Sequence, residues 1–217
     1  MKVLTIAVTL AAAAAIAPTM VRASDPKPCS SCTVAPQHKM KKMDKMNRFG
    51  GPIHMGAPAL EVTASLVEAG GGADNFSIAT ALTSMGGEAL VKAEVGKLTK
   101  QYGEEKVGKW IEVFDFAVKD SLKIATDAGV KLPKGNLSGA KLASTLVMAG
   151  LDKKNTFYTC SMLDVAVSHD IHVAVMGDID KKFGAEWDAN YHKITNQAMY
   201  DFAHALKANQ VKLASFH

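Results

Sequence analysis

Two histidines and a methionine interrupt the apolar stretch SHDIHVAVMGD, which runs from Ser168 to Asp178. At 3.6 residues per helical turn, Met162, Val165, His169, His172, Met176, Ile179 and Phe183 fall on one stripe, with spacings of three and four. Leu163, Val167, Ile171 and Ala174 form a second apolar strip on the same predicted helix. A helix that is apolar on two sides belongs in the middle of its bundle, so His169 and His172 are expected in the interior or at a pocket wall.

The short connection from Gly184 to Trp187 predicts an antiparallel hairpin with the last helix. That pairing puts Met199 opposite His172, Thr195 opposite Met176, and Phe202 or Ala203 opposite His169. His192 and His204 then lie about one turn from the seam, and a slip of one turn brings His192 towards Met176. Five of the seven histidines (169, 172, 192, 204 and 217) fall at or after position 169. Imidazole and thioether together suit copper, and neutral imidazole or methionine serves as an axial ligand of haem iron. The expected site is therefore a metal or haem centre built from His169, His172, Met176, Met199, His192 and His204. The competing expectation is a structural or partner-binding helical module with no ligand. In that case the histidines are neutral and hydrogen-bonded to Asp164, Ser168 or Asp201, and the methionines fill gaps.

Other constellations are absent. The chain has no HExxH and no paired ExxH, so neither a zinc-peptidase helix nor a carboxylate-bridged di-iron bundle is indicated. Cys29-Ser30-Ser31-Cys32 is followed by Thr33 rather than histidine, which argues against covalent haem attachment. The glycine runs EAGGGADN and SMGGEAL lack the preceding strand and the lysine of a phosphate-binding loop, and they read as helix stops. No nucleophile–base pair stands out by spacing, and a non-catalytic role is expected.

The stretch HKMKKMDKM spaces Met40, Met43 and Met46 three apart behind His38, with His54 and Met55 shortly after. Thioethers at that spacing are a second place where copper could gather, although the interleaved lysines oppose a cation. Cys29 and Cys32 are close enough for a disulfide in an oxidising compartment. Cys160 is then left over as a buried thiol. On a continuous helix it lies more than two turns before His169, too far for shared coordination.

These residues need elements to position them. Lys2, the apolar run from Val3 to Ala17 and the small residues around Arg22 have the three-part pattern of a secretory leader over 1–23. The expected location is periplasmic or secreted, with no membrane attachment once the leader is cleaved. The formal net charge of +4 includes Lys2 and Arg22, which leave with the leader, so nucleic acid is not an expected partner. No protein partner is indicated. Residues 24–56, rich in methionine and lysine and without an apolar period, read as a flexible tail. Residues 57–217 read as one all-α domain, a bundle of six or seven helices closed by the C-terminal hairpin. Glycine stops follow one another, and alanine, leucine, lysine and glutamate dominate over aromatics, which make up 6%. The clearest helical face is Val107, Trp110, Ile111, Phe114, Ala117, Val118 and Leu122. A single long helix is expected over roughly 156–183, and another over 188–208.

Overall fold

Pro58 sits in the first turn of the first helix, where its missing N–H costs nothing. From there glycines and caps divide the chain. The structure is a computed structural model and describes residues 55–152 and 156–208. Its elements are α1 (Ala57–Ala69), α2 (Ile78–Gly86), α3 (Glu88–Tyr102), α4 (Glu104–Asp127), α5 (Gly139–Gly150), α6 (Thr159–Ala166), α7 (His169–Phe183) and α8 (Glu186–Ala208). The all-α class is as expected, with eight helices among the described residues where six or seven were expected. Among the described residues the nearest thing to a strand is one isolated bridge between Leu151 and Phe157. No described helix is long and apolar enough to cross a membrane.

The longest described helix is α4. Val107, Trp110, Val113, Phe114, Ala117, Leu122 and Ala125 are buried on it, while Ile111 and Val118 are half-buried at the margins. Burying each large side chain of that face contributes about 1.5–3 kcal/mol. The face packs on α7 and α8. The Trp110 ring meets Phe114 edge-on, and Phe114 meets Tyr191 of α8 with ring centroids 5.5 Å apart. Deep in this seam the indole Nε1–H of Trp110 donates to Thr195 Oγ1 at 3.0 Å, so α8 is held in one register against α4. A buried indole needs such an acceptor.

The single helix expected over 156–183 is two helices, α6 and α7, broken at Val167 and Ser168. Nothing in the apolar pattern marks the break, because Val165, Ala166 and Val167 continue it. The backbone of Ser168 supplies it, at φ 97° and ψ 154°. That region is essentially reserved for glycine. Ser168 is the one described residue other than glycine with positive φ. Its carbonyl accepts the first hydrogen bond of α7, from the His172 N–H at 3.0 Å. The break ends the predicted stripe. Met162 is buried, but Val165 is 40% exposed.

Candidate metal centre

The two histidines that meet in the core come from α7 and α8. His172 is 3% exposed, and its ring lies 5.8 Å from that of His192, centroid to centroid. Each ring is held by its Nδ1. His172 Nδ1 lies 2.9 Å from Asp164 Oδ1. His192 Nδ1 lies 2.9 Å from both the backbone carbonyl and Oδ1 of Asp188, one turn earlier on α8. A carbonyl or an ionised carboxylate can only accept, so both Nδ1 atoms carry the proton. In a neutral ring the lone pair is then on Nε2. Burial holds the His172 pKa below the usual histidine range, opposed by the hydrogen bond that its Nδ1–H gives to Asp164. The Nε2 atoms of His172 and His192 are both buried with no hydrogen-bond partner. Leaving one such acceptor unpaired costs about 1–3 kcal/mol.

The elements explain the convergence. Asn196 of α8 receives both the backbone N–H and the hydroxyl of Thr159, at 2.7 and 2.6 Å, and so ties down the first turn of α6. His192 lies one turn before Asn196 on the same face. Residue 160 of α6 is thereby brought beside it, and one donor atom each from Cys160, His172 and His192 lie within 4.8 Å of one another. Asp164, one turn further along α6, reaches His172 only because the Ser168 break folds α6 back on α7.

The predicted ligands divide into groups. His172 and His192 are together in the core. His169 is at the rim, its side chain 55% exposed, with Nδ1 3.3 Å from the same Asp164 oxygen. Asp164, His169 and His172 form a second close group. Met176 and Met199 are buried and, with His172, Tyr191 and Met162, line an apolar cavity of about 40 Å³ that His192 does not line. His204 is not at the site. It is exposed and packs its ring 4.4 Å from that of Tyr200. Across the α7–α8 seam the His192 ring lies beside His172, and Met199 lines the apolar cavity together with His172. The residues His38, Met40, Met43, Met46 and His54 lie outside the described residues, and Met55 is half-buried against the core.

Cys160 was not expected at this site, whereas Asp164 is one of the hydrogen-bond partners expected for the histidines. The only sequence signal for the approach of Cys160 is Ser168 followed by an acid, Asp170, in the next turn, which is how a new helix starts. Cys160 is also not the free thiol it was expected to be. It is disulfide-bonded, to a partner outside the described residues. The expected Cys29–Cys32 disulfide lies outside them too. The chain has three cysteines, so the two pairings exclude each other within one molecule.

Around this core the charges are acidic. Asp180 and Asp188 lie near each other, and the Asp180 carboxyl is held above its usual range by burial and by the Asp188 charge. Tyr191 is fully buried, its hydroxyl has no hydrogen-bond partner, and burial raises its pKa. Two imidazoles with buried, unpartnered Nε2 atoms, oriented through Nδ1 by Asp164 and Asp188, can receive a cation. No protein-family model, curated protein or solved structure matches the chain, so the reading rests on this geometry.

Proposed function

We propose that the protein is an exported metal-binding protein, not an enzyme, that holds a copper-class ion between His172 and His192. The observation that carries this reading is the pair of buried, unpartnered Nε2 atoms with both Nδ1 atoms already engaged. Metal-ligating histidines commonly donate the other ring N–H to a carboxylate or carbonyl, which fixes the tautomer. Packed histidines have no need to keep both Nε2 atoms empty in a core. Nitrogen ligands favour copper over the other divalent first-row ions, and the adjoining methionines suit its reduced form. A bare ion is preferred to haem because the adjoining cavity, about 40 Å³, is far below the roughly 300–1,000 Å³ of typical cofactor pockets. The leader pattern over 1–23 supports export, where such an ion would be met.

The test is equilibrium dialysis of the full chain against Cu²⁺ and, separately, Zn²⁺, with circular dichroism melts to check folding. The expected result is one ion per chain. Binding should be lost in His172→Leu and His192→Leu and unchanged in His204→Leu. Ion binding that survives both core substitutions but disappears when His38, Met40, Met43 and Met46 are replaced would place the metal in the N-terminal segment. No binding by the wild-type chain would leave a helical packing module as the better reading.

A further inference from the structure

Two imidazoles are an incomplete ligand set, and the third donor position is occupied by a sulfur that is already bonded. We infer that Cys160 is the redox-controlled third ligand of this site: its disulfide withholds the sulfur, and reduction releases a thiolate to join His172 and His192 on the ion. This rests on the metal-binding reading above and adds a ligand and a control to it.

The geometry is specific. The donor atoms of Cys160, His172 and His192 lie within 4.8 Å of one another. Donors about 2.0–2.3 Å from a common tetrahedral ion lie roughly 3.3–3.8 Å apart, so sharing an ion draws the three atoms together by up to about 1–1.5 Å. Cys160 is 4% exposed and His172 3% exposed, and His192 is half-buried beside them. The Nε2 atoms of His172 and His192, buried and unpartnered, point independently to a ligand at the same place. Two histidines and one cysteine, with a methionine nearby as a weak axial group, is the ligand set of blue-copper centres. Met162 and Met176 adjoin His172 in the apolar cavity.

The chemistry balances with a dithiol as reductant. One of its thiolates attacks the disulfide at Cys160 and the S–S bond breaks. The dithiol then closes to its own disulfide, giving up two electrons and two protons. Cys160 and its former partner each leave as a thiol, and the Cys160 thiol gives its proton to solvent when the ion binds.

Cobalt(II) is a suitable probe, because it does not oxidise thiols and shows a thiolate-to-metal charge-transfer band in the near ultraviolet. Cys29 and Cys32 are the only other cysteines, so Cys29→Ser/Cys32→Ser leaves Cys160 with no partner in the chain. Full-length double variant should show the band at one equivalent of Co²⁺ without reductant. Oxidised wild type should bind cobalt at least tenfold more weakly and show no band. Wild type reduced by a dithiol and freed of it under anaerobic conditions should gain the band. Adding Cys160→Ser, His172→Leu or His192→Leu to the double variant should abolish it, with melts confirming the fold. A band that persists in the Cys160→Ser or either histidine variant overturns the inference. Cobalt bound equally well with and without the disulfide, and no band in either state, overturns the thiolate but leaves the two-histidine reading standing. No cobalt in any sample overturns both.

Discussion

At the scale of single residues, the account depends on which nitrogen of each histidine is free. Asp164 accepts from Nδ1 of His172 at 2.9 Å, and that bond presents Nε2 to the core. Asp164→Asn keeps the size but replaces a certain acceptor with a group that can turn its NH₂ towards the ring. The ring is then free to flip its tautomer and withdraw the lone pair. Loss of such an orienting partner typically costs 10–100-fold in metal affinity. A loss of that size, measured by competition with a chelator, is expected for Asp164→Asn. His169→Leu should cost less, since His169 shares the acceptor from the exposed rim. Equal affinity in Asp164→Asn and wild type would mean that Asp164 does not set the ring. From the sequence, His172 was identifiable as a core residue because Ile171, Val175, Met176 and Ile179 repeat around it with helical spacing. Asp164 was legible as one of three acids and hydroxyls near the histidines, but the approach of Cys160 was not, because it depends on a backbone angle at Ser168 that no side-chain pattern records.

At the scale of elements, the break between α6 and α7 builds the site, and it is made by an unfavourable residue. Ser168 holds a glycine-type conformation and has a buried hydroxyl with no partner. Strain of that kind amounts to about 1–3 kcal/mol. Ser168→Gly should therefore stabilise the protein by about 1 kcal/mol or more, which for a chain of this size is a rise of roughly 2–4 °C in Tm. Metal affinity should be retained, because the break remains. A fall in Tm would show that Ser168 is not in this conformation. The same break explains why element boundaries were only partly legible. α4 could be read directly, since its apolar period runs without interruption and ends at a glycine. The α6–α7 pair looked like one helix because Val165, Ala166 and Val167 carry the period across the join. The short connection between α7 and α8 makes them neighbours and leaves their register to packing. Trp110 on Thr195 and Asn196 on Thr159 fix α8 against α4 and α6, and both are contacts between residues distant in sequence.

At the scale of the whole molecule, the bundle closes where α3 meets α8, and there a second polar group is buried. Burial and the Asp201 charge push Glu94 up to about 7, with Lys97 opposing them. A carboxyl with a raised pKa binds its proton more tightly folded than unfolded. Its contribution to stability is complete below the ordinary value near 4.5 and is lost as pH rises from there through about 7. Stability measured by urea unfolding should fall over that window, and the fall should be smaller in Glu94→Gln. A rise in wild-type stability attributable to Glu94 over the same window would contradict its burial as a neutral acid.

The central claim is that one ion is held by Nε2 of His172 and Nε2 of His192 while both Nδ1 protons stay in place. Long-range ¹H–¹⁵N correlation spectra of the histidine rings, recorded as Zn²⁺ is added to the full chain, report on those atoms directly. The account predicts that the Nε2 resonances of His172 and His192 move together and saturate at one equivalent, with both Nδ1–H groups retained and the His204 ring unaffected. Zinc bound at one equivalent with the His172 and His192 rings unchanged would contradict it.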